Sequence, residues 1–511
     1  MALSDSASAV VSAFRNRPGD LLPFYLLGAA VPAIVRVVPF AAIVVGYLYL
    51  EAAGHLEGLP DALADVDVAP PDPDASEEEF DAWAEALVPV FEEFLTPTVA
   101  FVLSALVLVT FVLSVVVGLV LYAIVSAGQL ATCYARLRDE RGVVAGIAGV
   151  RRYWLRFLGL FALEFLLWTV SILLAGFAAF VVSLVLAAVS PIVAVLVAAL
   201  VVLVLFALLV AVRAVFAFAP VAVVVDDAGV FASLSKTVGF VRSRPIHAGF
   251  YYAISVGSLL AVSVISSFLV IVEIFTLTTV VVALVLLPGL GLLKTALYSQ
   301  YRDTLRPPAM PERSVRGQLR AGLGRGFREM TSFVRETPGL HAAVVALAVG
   351  SFWVGWMIAA PYEGAVEASI LARLDGIIPP AFALELFGNN WFVAITTAFS
   401  GIVLAIPAIV SLLFNGVYMG IIAQLEVDPT TLLAFVVPHG IIEIPAIFVA
   451  SALGIWIGLV TWRAYRGRID RPTFADALER SFWILIGIGI LLAVAAVVEA
   501  FVSPYYFRLF L

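Results

Sequence analysis

The chain has 511 residues, of which 63% are hydrophobic and only 13% are charged. Ordinary soluble domains carry about 25% charged residues, so this composition excludes a soluble protein. The net charge of −8 does not indicate a mechanism, and the single cysteine, Cys133, excludes an internal disulfide and a thiolate metal cluster. The fold class that we expect is an all-α polytopic integral membrane protein.

Long apolar runs predict about eleven transmembrane helices in two blocks, six and about five. In the first block the predicted spans are 21–50, 97–126, 154–187, 191–219, 248–272 and 276–297. In the second block they are 341–360, 391–414, 416–438, 439–462 and 480–503. The crossing at 416–438 is predicted to be broken or re-entrant, because Glu426, Asp428 and Pro429 suit a regular helix in lipid poorly.

Charges between the spans predict the orientation. Residues 51–95 are rich in carboxylates and contain no Lys or Arg, whereas residues 136–156 are rich in arginine. Since positive loops stay on the cytoplasmic side, we expect a multi-pass protein of the cell membrane with its N-terminus inside. The predicted domains are a six-span membrane domain (1–300) with the acidic outer loop 51–95, a basic cytoplasmic linker (301–338) and a second membrane domain (339–511).

The linker allows two interpretations. It is either a solvated cytoplasmic segment or an amphipathic helix whose Leu319, Leu323 and Phe327 lie on anionic headgroups between arginines. A basic segment this short, next to a membrane, does not favour binding of nucleic acid.

Ionisable residues within the second block are the sharpest chemical signal. His439 and Glu443 are four residues apart and so share one helix face. An ionisable side chain within lipid costs roughly 2.5–3.5 kcal/mol or more unless it finds a partner. The pair is either a structural hydrogen bond between helices or a functional site in a water-accessible cavity. Glu499 is a possible third member, although no spacing places it nearby.

Amides and glycines of the same block complete the candidate set. Asn389 suits a helix N-cap, and Asn415-Gly416 suits a C-cap and turn. Gly454 and Gly458 form a Gly-x-x-x-Gly pattern that allows helices to approach closely. The candidate intramembrane polar site comprises His439, Glu443, Glu499, Asn389, Asn390 and Asn415, and the candidate helix-packing glycines are Gly416, Gly440, Gly454 and Gly458.

Enzyme motifs are missing from the sequence. It contains no Gly-x-Ser-x-Gly elbow, no Walker loop and no dinucleotide fingerprint after a strand. The pair His439 and Glu443 does not have the His-Glu-x-x-His spacing of a metalloprotease, and a zinc site needs at least three ligands. We therefore expect no catalytic residues, no metal and no cofactor.

Four ordered motifs of the second block resemble the stage II sporulation protein M family. They are Gly388-Asn389-Asn390, Asn415-Gly416 with Gly420, Pro438-His439-Gly440-x-x-Glu443, and Glu499-Ala500-Phe501-x-Ser503-Pro504. The resemblance implies an all-helical membrane domain of about five spans. In spore-forming bacteria such proteins belong to a membrane complex that positions cell-wall hydrolases.

The leading functional hypothesis is a non-enzymatic membrane scaffold or envelope-remodelling component. Its partners would be the lipid bilayer and membrane or envelope proteins, with no nucleic acid, and the contacts would lie on 361–390 or 298–336. The alternative is a transporter or permease in which His439 and Glu443 bind substrate or relay a proton. An intramembrane hydrolase is disfavoured, because no nucleophile has a paired base.

Overall fold

A computed structural model describes residues 3–56, 58–59, 62, 77–187, 190–363 and 378–506. Throughout these residues the regular structure is helical, without β-strands. The helices of the first part are α1 (Leu3–Asn16), α2 (Pro23–Val35), α3 (Val37–Ala52), α4 (Glu77–Phe94), α5 (Pro97–Arg136), α6 (Gly142–Ala187), α7 (Pro191–Val225), α8 (Val230–Ser243), α9 (Pro245–Val270), α10 (Thr276–Val281) and α11 (Leu287–Tyr301). Those of the second part are α12 (Val315–Glu336), α13 (Pro338–Ala359), α14 (Pro379–Ser400), α15 (Ile406–Leu425), α16 (Pro429–Tyr465), α17 (Arg471–Phe501) and α18 (Ser503–Tyr506).

Ten segments among the described residues are long and apolar enough to cross a membrane. They are Pro23–Ala52, Pro97–Arg136, Gly142–Ala187, Pro191–Val225, Pro245–Val270, Thr276–Tyr301, Pro338–Tyr362, Ile406–Leu425, Pro429–Tyr465 and Arg471–Tyr506. The predicted class, an all-α polytopic membrane protein, is confirmed, and the number of these segments is close to the predicted eleven.

Two first-block helices, α5 and α6, extend well beyond the apolar runs that predicted them. Helix α5 has 40 residues and α6 has 46, whereas the predicted spans were 97–126 and 154–187. At 1.5 Å per residue, α5 is about 60 Å long, twice the roughly 30 Å of a hydrocarbon core. Hydropathy therefore located these spans but not the ends of their helices.

The predicted span 391–414 is wrong as a single helix. Helix α14 ends at Ser400 and α15 begins at Ile406, and between them Leu404 and Ala405 have left-handed φ angles of 54° and 66°. Pro407 lies in the first turn of α15, where its missing N–H costs no helical hydrogen bond. The break went unnoticed because every residue from 401 to 405 is apolar or glycine.

The second break also differs from the prediction, which placed a broken crossing at 416–438 and a new span at 439. Helix α15 instead continues to Leu425 and α16 begins at Pro429. Asp428 is the N-cap of α16, and its Oδ1 accepts hydrogen bonds from the backbone N–H groups of Thr430 (3.0 Å) and Thr431 (3.1 Å). Residues 426–428 thus separate two regular helices, and His439 lies inside α16.

Two compact units divide the chain. Unit 1 comprises Met1–Gly28, Leu119–Ile265 and Val281–Ser314, and unit 2 comprises Ala29–Gly118, Ser266–Val280 and Val315–Leu511. Both units are thus assembled from several stretches of the chain. The acidic loop 51–95 and the segment 361–390 lie partly outside the described residues, and their predicted outer location stays a prediction.

Unit 1 contains a buried carboxylate that the sequence analysis did not identify. Asp20 is 2% exposed, and its carboxylate accepts hydrogen bonds from the N–H groups of Gly142 (2.7 Å) and Val143 (2.9 Å). These N–H groups begin α6, where a negative charge is favoured by the helix dipole. Arg136 lies beside the same carboxylate, with Nη1 3.8 Å from Oδ2. Asp20 therefore links the start of α6 to the segment before α2.

Helix α12 packs on α17 within unit 2. A Cβ added to Gly326 would lie 2.7 Å from Ile486 Cγ2, so the two helices are in close contact there. Arg480 of α17 pairs with Glu329 at 3.2 Å and with Glu336 at 2.9 Å. The hydroxyl of Ser332 and the guanidinium of Arg480 hold the pKa of Glu336 below its usual range. This part of the predicted linker is packed rather than solvated.

Candidate functional site

His439 lies on a buried face of α16 and is 7% exposed. Its Nδ1 is 3.0 Å from the hydroxyl oxygen of Ser503, at the start of α18. On the other side of the ring, Nε2 is 3.9 Å from Oε1 of Glu499 in α17. The ring of Phe435 contacts the imidazole edge-on at 5.5 Å between centroids. The structure thus brings together the His and Glu residues whose proximity no sequence spacing indicated.

Glu443 completes the group one helical turn after His439. One ring nitrogen of His439 and one carboxylate oxygen each of Glu443 and Glu499 all lie within 4.8 Å of one another. We call these three residues the His–Glu–Glu cluster. Oε2 of Glu443 is buried and has no hydrogen-bond partner among the described residues. Within the described ranges, no Lys or Arg forms an ion pair with Glu443 or Glu499.

The packing of α16 against α17 creates the cluster. The short connection 466–470 turns the chain back, so that residues 64 positions apart, His439 and Ser503, become neighbours. Two prolines inside α16, Pro438 and Pro445, flank the stretch that carries the cluster. A proline has no N–H for the carbonyl four residues earlier, so α16 lacks two hydrogen bonds of its ladder in this region.

The predicted asparagines do not join the cluster. Asn389 and Asn390 lie inside α14, the first exposed and the second half-buried, and Asn389 Nδ2 donates to Asn390 Oδ1 at 3.2 Å. The N-cap of α14 is Ile378, so the N-cap interpretation of Asn389 is wrong. Asn415 lies inside α15 and donates to the carbonyl of Ser411 at 2.8 Å, so the C-cap interpretation of Asn415 is also wrong. Both errors follow from the misplaced ends of the predicted span 391–414, because α14 begins at Pro379, before Asn389, and α15 continues to Leu425, past Asn415.

Asn415 instead lines a small cavity between α14, α15 and α16. The hydroxyls of Thr397 and Ser411 are 3.1 Å apart there, and Ser451 of α16 lies opposite. None of these three hydroxyl groups was singled out from the sequence, since Ser and Thr also occur in lipid-facing helices by bonding to their own backbone. The lining residues are Val393, Ala394, Thr397, Ser411, Leu412, Asn415, Ile447, Ala450 and Ser451.

The candidate packing glycines fall into two groups. A Cβ at Gly458 would overlap the backbone of Ala405, one at Gly416 would overlap the side chain of Ser351, and one at Gly454 would lie 2.7 Å from neighbouring atoms of α14 and α15. Gly440 differs, because the nearest atoms are side-chain ends of its own helix, beginning with Val436 Cγ1 at 3.2 Å. Close contacts of the same kind, which the sequence analysis did not identify, involve Gly326, Gly355, Gly401 and Gly487.

The cluster combines one imidazole, two carboxylates and a neighbouring hydroxyl in a largely buried setting. Such groups can fix helices to one another through hydrogen bonds, exchange a proton, or hold a cation. Each of these uses depends on the same contact between α16, α17 and α18, so the site is a property of the C-terminal helices of unit 2.

Comparison of the sequence with known proteins finds a match in the region that contains the His–Glu–Glu cluster. No curated protein and no solved structure shows a significant similarity to the chain. Residues 343–504, which contain the whole cluster and Ser503, match a family model. This match confirms the resemblance seen in the four motifs and leaves residues 1–342 outside it. The family whose model matches residues 343–504 of this integral membrane protein is Stage II sporulation protein M.

Proposed function

We propose that the protein is a non-enzymatic scaffold of the cell membrane, with its N-terminus inside, that docks a partner protein on α12. The supporting observation is an apolar stripe of α12 that is only half covered. Gly326, Met330 and Phe333 of this stripe are buried. The part of the stripe nearer the start of the helix is uncovered and consists of Val315, Leu319, Leu323 and Phe327, which are 64%, 62%, 41% and 46% exposed.

Charges beside the uncovered stripe indicate the chemistry of the partner. Arg316, Arg320 and Arg328 are exposed next to it. An apolar row flanked by arginines complements a partner helix that has an apolar face bordered by carboxylates. The pairing of Arg480 with Glu329 and Glu336 holds α12 on α17, so the uncovered stripe lies on a helix whose position is fixed.

Affinity capture of the tagged full-length protein in a mild detergent, followed by quantitative mass spectrometry, tests this proposal. We expect membrane or envelope proteins with wild type and a strong loss of them with the double variant Leu319→Ser and Leu323→Ser. Glu443→Gln is the matched control, because the buried cluster is far from the exposed row in the chain and should leave capture unchanged. Recovery of the chain alone with wild type, or equal capture by the double variant, contradicts the scaffold.

A transporter remains the second candidate, and a specific observation favours it. A carboxylate oxygen of Glu443 is buried without a hydrogen-bond partner among the described residues, and the bundle contains a helix break at 401–405. Transporters build substrate sites from polar side chains at such interrupted helices. Flux assays in proteoliposomes with Glu443→Gln test this role, with Glu479→Gln on α17 as control. Loss of flux in a folded Glu443→Gln protein supports transport, and an effect on stability alone contradicts it.

A further inference from the structure

The His–Glu–Glu cluster has the donor set of a metal site. One imidazole nitrogen and two carboxylate oxygens lie within 4.8 Å of one another. Imidazole together with carboxylate suits divalent transition ions such as Zn²⁺, whereas Ca²⁺ and Mg²⁺ prefer sites made only of oxygen ligands. No metal was expected from the sequence, because only His439 and Glu443 are close together in the chain.

The spacing fits an ion better than a direct bond. His439 Nε2 and Glu499 Oε1 are 3.9 Å apart, which exceeds the roughly 2.7–3.2 Å of a hydrogen bond. Two ligand atoms that are each about 2.0–2.2 Å from the same metal lie about 3–4 Å from one another. The three ligand atoms all lie within 4.8 Å of one another, close to that separation.

Ser503 orients the imidazole for this role. Its hydroxyl oxygen lies 3.0 Å from Nδ1 of His439, so this ring nitrogen already has a hydrogen-bond partner and Nε2 is the nitrogen left for a metal. Metal-binding histidines characteristically use one nitrogen as the ligand and donate the N–H of the other to an oxygen acceptor, which determines the tautomer. With the proton on Nδ1, the lone pair stays on Nε2, which lies 3.9 Å from Oε1 of Glu499.

Glu443 supplies an independent indication. Its Oε2 is buried and has no hydrogen-bond partner in the described part of the chain, and a second carboxylate, Glu499, lies beside it. A buried carboxylate without a partner is costly, and two adjacent ones repel each other. A divalent cation between them would remove both penalties, because it supplies two positive charges and a ligand for the free oxygen.

We propose that the His–Glu–Glu cluster binds one divalent transition-metal ion, of the Zn²⁺ type, through His439, Glu443 and Glu499. Three protein ligands leave a further coordination position for water. The ion would join α16 to the end of α17. This inference does not depend on the docking role of α12, since partner capture and metal binding are measured separately.

The experiment uses full-length protein in detergent, stripped with a chelator and then dialysed against micromolar Zn²⁺. We expect one tightly bound Zn²⁺ per chain by elemental analysis, and a Zn²⁺-dependent rise in the midpoint of thermal unfolding that Ca²⁺ and Mg²⁺ do not produce. Wild type that retains no Zn²⁺, or whose midpoint does not respond to it, overturns the proposal. This measurement needs no variant and so remains decisive if the variants fail to fold.

Variants then locate the ion. Ser503→Ala should weaken Zn²⁺ affinity by about 10–100-fold, as loss of an outer hydrogen-bond partner does. Glu443→Gln and Glu499→Gln should weaken it more. Glu479→Gln, the same change twenty residues earlier on α17, should leave affinity unchanged. Equal affinity in wild type and both ligand variants would place any bound ion elsewhere and overturn the assignment.

Discussion

Replacing Gly458 by alanine adds one methyl group at the closest approach between α16 and the turn before α15. An added Cβ would lie 2.7 Å from both Cα and Cβ of Ala405 and closer still to its backbone nitrogen. Carbon atoms in contact normally lie about 3.5–4.0 Å apart, so the turn must move by about 1 Å. Ala405 already has a left-handed φ of 66°, a strained conformation for a residue other than glycine, which leaves the turn little freedom to adjust.

Overpacking of this kind costs about 1–3 kcal/mol, and the better helix propensity of alanine returns about 1 kcal/mol. Because the left-handed turn has little freedom to adjust, the cost lies in the upper part of that range, about 2–3 kcal/mol, and Gly458→Ala should lower the free energy of unfolding by about 1–2 kcal/mol. Gly440→Ala is the matched control on the same helix. Its nearest atoms are Val436 Cγ1 at 3.2 Å and Ile444 Cδ1 at 3.5 Å, both movable side-chain ends. It should be neutral or stabilise by up to about 1 kcal/mol, the propensity difference.

Thermal unfolding of both purified variants in one detergent measures the difference directly. The midpoint of Gly458→Ala should fall by a few degrees, and that of Gly440→Ala should stay at or slightly above wild type. Equal midpoints, or a larger fall in the midpoint of Gly440→Ala, would refute the conclusion that the close contact between Gly458 and the backbone of Ala405 holds the turn against α16.

Two further predictions concern carboxylates at helix starts. Asp20→Ala should destabilise unit 1 by about 2–4 kcal/mol, because the buried N–H groups that begin α6 at Gly142 lose their acceptor. The control Glu140→Ala, at an exposed position, should change the free energy of unfolding by under about 0.5 kcal/mol. Similar thermal unfolding midpoints for both variants would contradict this prediction. Hydrogen bonds from the Thr431 hydroxyl and N–H lower the pKa of Asp428, so its ionised form stabilises the start of α16 at neutral pH. This stabilisation is complete above the ordinary pKa of about 3.9 and is lost as the pH falls through the lowered value. Asp428→Asn keeps a cap without charge, so the midpoint difference between wild type and this variant should be constant from about pH 5 to 8 and change only below about pH 4.

Hydropathy predicted the helical class and the approximate positions of the spans, because apolar length is a direct requirement of the bilayer. It could not place the break at 401–405, because the chain stays apolar there. The turn is held by contacts with Gly454 and Gly458 of α16, which is far away in sequence. The break at 426–428 was visible locally. An Asp before a Pro that begins a helix is an N-cap signal, which here was interpreted as poor material for a regular helix.

The candidate site was predictable to the extent that it is local. His439 and Glu443 share a helix face through their spacing alone. Glu499 and Ser503 reach the same place only through the packing of α16 on α17, which their separation in sequence does not encode. The amides were overinterpreted, because Asn389 and Asn415 were assigned to helix ends that are not there.

The docking of α12 on α17 means that the part of the chain that matches the family is not a complete unit of packing. The match begins at residue 343, whereas unit 2 resumes at Val315. A fragment that begins at residue 343 would lack Glu329 and Glu336, the ion-pair partners of Arg480. It would also expose Gly487, which is in close contact with Gly326 of α12. Expression of this block on its own should therefore begin before α12. In this protein the family match and the compact packing of unit 2 therefore have different N-terminal limits.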